Sequence, residues 1–210
     1  MTIIFILLSL LIINITIKYI NNNDDDVNIV IGVKGWSALV GVVSTSTFLL
    51  AARYNNSIEF YYFYALFIYL TITAYIDYKT TDIYSFLNYI MLGVSILFIL
   101  INYIIGNDIK SLIHSIVYVG AISLGMSFFK VWGAGDTEMF IAISGIIGVK
   151  GYVYLGFQPI TIGIVNVFLA TMILSVIALI NILIRRYEVS KRVAFAPYIA
   201  FSSMFIILFL

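Results

Sequence analysis

Long apolar runs follow one another along this 210-residue chain, with few charges between them. A helix needs about 20 consecutive apolar residues to cross a hydrocarbon core of about 30 Å, and several of the runs reach that length. In lipid every backbone N–H and C=O must be satisfied within the protein, so a chain of this kind folds as a helix bundle. Composition agrees, with 63% of residues hydrophobic and 10% charged. A soluble domain of this length could not hide so much apolar surface. The chain therefore reads as an all-α polytopic membrane protein. Eight segments are expected, at roughly 2–20, 35–52, 58–76, 84–105, 111–129, 137–148, 158–184 and 194–210. The sixth is short, and an irregular or tilted piece through Gly151–Phe157 is expected to continue it. The second is the least apolar, with Ser44-Thr45-Ser46-Thr47 at its centre, where hydroxyls can bond their own backbone or a neighbouring helix. No basic stretch precedes the first run and no small-residue cleavage site follows it, so it is read as a retained span.

Several functions are excluded early. A net charge of +1 gives no electrostatic footprint for nucleic acid. With no cysteine there is no disulfide, no thiolate zinc site and no cysteine nucleophile. The polar stretch Asn21–Asp26 lacks the glycine turn and spaced ligands of a calcium loop and is read as solvated. No metal or other cofactor is expected.

Basic residues set the orientation. The loop 185–193 carries Arg185, Arg186, Lys191 and Arg192, which places it in the cytoplasm. Alternation puts the loops near 21–34, 77–83 and 130–136 on the same side, adding Lys18, Lys34, Lys79 and Lys130. Only Arg53, Lys110 and Lys150 remain outside, together with both termini. Asp77 and Asp136 then fall at the cytoplasmic face, at the ends of different spans.

Carboxylates in or near a bilayer are costly and usually functional. Two of them around one water cannot both ionise easily, so the pair shares a proton. The ionised member can take a proton from water while the protonated member polarises a peptide carbonyl. Asp136 follows Gly133-Ala134-Gly135, and Gly133 and Gly135 permit a tight turn and close approach of a substrate strand. At a helix start, the dipole would favour an ionised Asp136. The bland reading stands beside this one: Asp136 ahead of Thr137-Glu138 also fits an N-cap, and Asp82 fits an N-cap for the fourth span.

Three stretches resemble the type IV prepilin peptidases, the leader peptidases among the Gly-x-Gly-Asp intramembrane aspartic proteases. They are Ile76-Asp77-Tyr78-Lys79-Thr80-Thr81-Asp82-Ile83, then Gly133-Ala134-Gly135-Asp136 opening a short apolar helix, then Ala194-Phe195-Ala196-Pro197-Tyr198-Ile199-Ala200 before the last helix. Order and spacing agree over about 58–210. The resemblance implies a membrane endopeptidase with Asp77 and Asp136 as its catalytic pair and Gly133 and Gly135 shaping the active loop. It implies a site at the cytoplasmic face of the plasma membrane, and prepilin-like or pseudopilin substrates whose short basic leader is cut just before a hydrophobic helix. It divides the chain into two N-terminal spans with a short polar loop, 1–57, and a six-span peptidase core, 58–210.

The chain departs from the family pattern in three places. Tyr84 stands where Pro is usual after the Ile of the first motif, and Glu138 stands where Lys is common after the second Asp. The loop Asn21–Lys34 is short and has no cysteine, so N-methylation of the product is not expected. Proton-coupled transport and an inactive membrane scaffold are the alternatives that paired carboxylates and these departures leave open.

Other residues carry smaller expectations. His114 is read as a packing or hydrogen-bonded group near the outer side. Phe60–Tyr64 is assigned to an outer aromatic belt, and most tyrosines and phenylalanines to lipid-facing positions. Asn166 and Asn181 are candidates for bonds between helices. Arg53 and Glu59 flank an outer loop without a special role, and Asp24–Asp26 could weakly attract a basic leader.

Overall fold

A computed structural model describes residues 2–55, 57–155, 158–185 and 193–210. Among these the helices are α1 (Thr2–Asn23), α2 (Val33–Tyr54), α3 (Ile58–Thr80), α4 (Ser85–Ile105), α5 (Lys110–Phe128), α6 (Ala134–Ile147), α7 (Ile162–Arg185) and α8 (Ala196–Phe209). Six of them, α1 to α5 and α7, are long and apolar enough to cross a membrane. The helices α6 and α8 have 14 residues each, or about 21 Å at 1.5 Å per residue, which is short of a full crossing.

The irregular continuation expected after the sixth segment is described except for Gly156 and Phe157. A single 3₁₀ turn, Gly148–Lys150, follows α6, and then an antiparallel hairpin pairs β1 (Tyr152–Leu155) with β2 (Gln158–Thr161) in the register Tyr152↔Thr161. Gly151 opens the hairpin at φ +78°, a conformation that suits glycine. His114 on α5 hydrogen-bonds the Tyr152 hydroxyl at 2.8 Å, so the hydrogen-bonded reading of this histidine holds.

The helix α3 lies at the centre and packs against α8, α2, α4, α1 and α6. The short α6 is held between α4 and α5, and its run Met139–Ile147 is almost wholly buried. Lipid is as apolar as leucine, so close packing and bonds between helices must hold such a bundle together. A Cβ on Gly145 would lie 2.2 Å from Ser95 Oγ of α4, and one on Gly163 would lie 2.1 Å from Ser115 Oγ of α5. At these points backbone meets a neighbouring side chain, and a larger residue would force the serine to shift. Asn166 of α7 donates to Ser203 at 2.9 Å and accepts from Ser202 at 2.7 Å, joining α7 to α8 as expected. Such bonds average about 0.6 kcal/mol in membrane proteins. In α2, Ser46 bonds back to its own helix at Val42.

Two expectations fail near the α2–α3 junction. Phe60, Phe63 and Tyr64 are buried, not part of a lipid-facing belt, and only Tyr61 of that run is well exposed. Phe5 and Phe60 meet edge to face, and the Tyr64 hydroxyl reaches Ser9 and the Phe5 carbonyl on α1. The aromatic run pins α1 to α3, because a tyrosine inside the bundle finds polar partners that lipid lacks. Arg53 also acquires a role. Its guanidinium donates to the Leu208 carbonyl while Tyr54 donates to the Ile207 carbonyl, so the end of α2 satisfies carbonyls left open by the last turn of α8.

Candidate active site

Asp77 lies in the last turn of α3 and is 3% exposed. The helix ends just beyond it, with Thr81 in the left-handed region at φ +59° and its N–H bonded to the Asp77 carbonyl at 2.7 Å. A β-branched residue with positive φ is strained, and such strain clusters at functional sites. The carboxylate is oriented from far away in sequence. Its Oδ2 accepts the backbone N–H of Ala196, the first residue of α8, at 2.8 Å. Pro197 in the first turn of α8 suits a helix start, where its missing N–H costs nothing.

Asp136 is held locally. The N-cap of α6 is Gly133, and Asp136 is the third helical residue, so the N-cap reading is off by one role. Its Oδ2 reaches back to accept the Gly133 N–H at 3.0 Å, the acidic half of a capping box. Asp136 sits ahead of the apolar stretch of α6 and outside the six long spans. Burial is the largest influence on it and raises its pKa to about 6. The Gly133 hydrogen bond opposes this rise, and the nearby charge of Asp77 adds to it. The expected preference for the ionised form at a helix start is thus outweighed by desolvation.

Both carboxylates open onto one cavity of about 630 Å³. Its floor is Asp77, Thr81, Asp82 and Ile83 on one side and Lys130 to Asp136 on the other, with Leu174, Val193 and Phe195 completing the wall. All four residues singled out for the site, Asp77, Gly133, Gly135 and Asp136, line it. The two loops interlock closely: a Cβ on Gly135 would come within 2.9 Å of the Ile83 Cβ. Trp132 stiffens the apolar wall. Its indole N–H donates to Thr137 Oγ1 at 3.0 Å, and its ring clusters with those of Phe140 and Phe195, 5.3 and 5.8 Å between centroids. Among the described residues no group of His, Cys, Asp and Glu is arranged to hold a metal ion.

The remaining candidates fall around this centre. The N-cap of α4 is Tyr84, so Asp82 does not cap that helix and lines the cavity instead. Asp82 also borders a second cavity of about 530 Å³ with Asp26–Val30, Lys79 and Thr80, which brings the polar α1–α2 loop beside the site. Tyr84 is what ties that loop down, its hydroxyl donating to Asp24 Oδ2 at 2.8 Å. Glu138 accepts from Asn88 at 3.1 Å and is not part of the cavity wall. Asn181 makes no bond to another helix among the described residues. Of the loop 185–193 from which the orientation is expected, Arg186, Lys191 and Arg192 lie outside the described residues.

Reading the sequence missed three contributors: the Ala196 N–H, Trp132 and Asn88. A backbone donor leaves no trace in residue identity. Asn88, an amide in an apolar span, was a visible signal of the kind already noted for Asn166.

No curated protein and no solved structure matches the chain. A family model does match, over residues 64–183, which is more than half of the chain and includes both aspartates and the Gly-x-Gly-Asp loop. The protein with this multi-pass helical architecture and paired-carboxylate cavity belongs to the type IV leader peptidase family.

Proposed function

We propose that this protein is a membrane aspartic endopeptidase that removes the short basic leader of prepilin-like or pseudopilin proteins at the cytoplasmic face of the plasma membrane. One observation carries the reading: Asp77 from α3 and Asp136 from α6, far apart in sequence, open onto the same cavity. Family membership supports the leader-peptidase part, and the bias of basic residues supports the cytoplasmic face.

With one shared proton the pair runs the hydrolysis alone. The ionised carboxylate takes a proton from a water held between the two, and the water oxygen attacks the scissile carbonyl carbon. The protonated carboxyl gives its proton to the carbonyl oxygen, forming a neutral gem-diol. The gem-diol then collapses: one carboxyl gives its proton to the departing amine, the other carboxylate takes the proton of a gem-diol hydroxyl as the carbonyl re-forms, and the pair returns with one proton. This chemistry requires neither a metal nor a covalent intermediate. Burial that raises the pKa of Asp136 to about 6 suits a carboxyl that must exchange a proton with a partner. The wall of Trp132, Leu174, Val193 and Phe195 suits the hydrophobic segment that follows the cut, and acidic Asp82 and Asp26 on the other side suit a basic leader.

The test is incubation of the purified protein with prepilin-like substrates, with the products mapped by mass spectrometry. Cleavage at the junction of leader and hydrophobic segment is expected. Intact substrate across a panel of basic leaders, or cleavage elsewhere, overturns the reading.

A further inference from the structure

Behind the active loop, on the side away from the cavity, three helices meet at a single buried amide. Asn88 of α4 is 1% exposed. Its Oδ1 accepts the Tyr69 hydroxyl of α3 at 2.5 Å. Its Nδ2 donates in two directions, to Glu138 Oε2 at 3.1 Å and to the Gly135 carbonyl at 3.4 Å, both on α6. Tyr69 is on the helix that carries Asp77, and Gly135 is the residue before Asp136.

These contacts fix which way the amide points. Turning it over would set its oxygen against two acceptors, the Glu138 carboxyl group and the Gly135 carbonyl, and bury an unfavourable cluster of oxygens. An acceptor at position 138 therefore selects the orientation in which Nδ2 faces Gly135. A lysine there would place donor against donor, favour the turned amide, and leave the Gly135 carbonyl facing an oxygen. We propose that Asn88 and Glu138 are positioning residues that hold the Gly135 peptide, and through it Asp136, in register with α3. The inference rests on the reading of Asp136 as a catalytic group. It gives Glu138 a purpose: it is matched to Asn88.

Glu138 is only partly buried, so its variants are expected to fold, and they carry the test. Cleavage kinetics of Glu138→Lys, Glu138→Gln and Asn88→Ala are measured beside amide hydrogen exchange of the segment 133–137. Glu138→Lys is expected to lower kcat at least tenfold with KM within about twofold, and to raise exchange of that segment about tenfold, as a loosened loop requires. Glu138→Gln, which keeps an acceptor toward Asn88, retains most of the wild-type kcat and its protection. Asn88→Ala, if it folds, behaves like Glu138→Lys. The proposal is overturned if Glu138→Lys leaves exchange and kcat unchanged, or if Glu138→Gln is as defective as Glu138→Lys. Exchange separates this proposal from the one it rests on. A wild type that cleaves nothing counts against the peptidase reading, while the exchange pattern still decides the role of Asn88 and Glu138.

Discussion

The two aspartates reach one cavity by opposite routes. Asp136 is oriented by its own turn, through the N–H of a glycine three residues earlier. Asp77 is oriented by Ala196, 119 residues away on another helix. Their carriers differ in the same sense. The apolar part of α3 is 61% buried, against 22–28% for the other long spans, so Asp77 depends on the assembled bundle. One half of the site is local structure and the other half is tertiary structure. Damage to distant packing should therefore reach Asp77 first, and damage to the Gly-x-Gly-Asp turn should reach Asp136 first.

The largest effect is expected where the comparison vanishes. Asp77→Asn and Asp136→Asn each keep the shape and remove the acid, and each should lower leader cleavage by about 10³-fold or more, as loss of an essential acid or base does. Next come variants that remove one orienting N–H each. Ala196→Pro and Gly133→Pro should each cost about 10–100-fold in kcat, from loss of a hydrogen bond to a charged group. They differ in pH dependence. The Gly133 N–H favours the ionised form of Asp136, so Gly133→Pro should move the limb near pH 6 upward by about one unit, whereas Ala196→Pro acts through Asp77. The kcat–pH profile of each purified variant checks this. Gly135→Ala tests the contact where the two halves touch. Its new Cβ would crowd Ile83, and a loss of at least about tenfold in cleavage is expected.

A smaller effect concerns stability. The folded pKa of Asp136, about 6, lies above its unfolded value. Well below its unfolded pKa both states are protonated and nothing is lost, while from there to about pH 6 folding is progressively disfavoured. Asp136→Asn escapes that penalty, so in detergent its thermal unfolding should rise relative to wild type by a few degrees at pH 8 and far less at pH 4. The smallest effect is expected from Tyr84→Phe, which frees the α1–α2 loop from α4 without touching either carboxylate and should change cleavage about twofold or less.

The same division explains what could be read from the sequence. The bundle was legible because apolar runs of membrane length leave few alternatives. The Asp136 turn was legible because its orienting partner is a neighbour in the chain. Asp77 was visible as a carboxylate at a span end, but its partner was not, since any residue other than proline supplies the same N–H. The aromatic run Phe60–Tyr64 was misplaced for a related reason. Phenylalanine and tyrosine are at home both in a lipid belt and inside a bundle, and only packing against Phe5 and Ser9 decides between them. Asp82 was misassigned because a capping residue is identified by dihedral angles, and those put the cap at Tyr84.

The central claim is that the two carboxylates act as one unit on one water. The direct test is the cleavage rate of a prepilin-like substrate by wild type, Asp77→Asn, Asp136→Asn and the double variant, all purified in the same detergent. A shared proton predicts that the double variant is no worse than either single variant, with all three near the uncatalysed background. Wild-type cleavage that survives in either single variant, or losses that multiply in the double variant, would contradict the dyad.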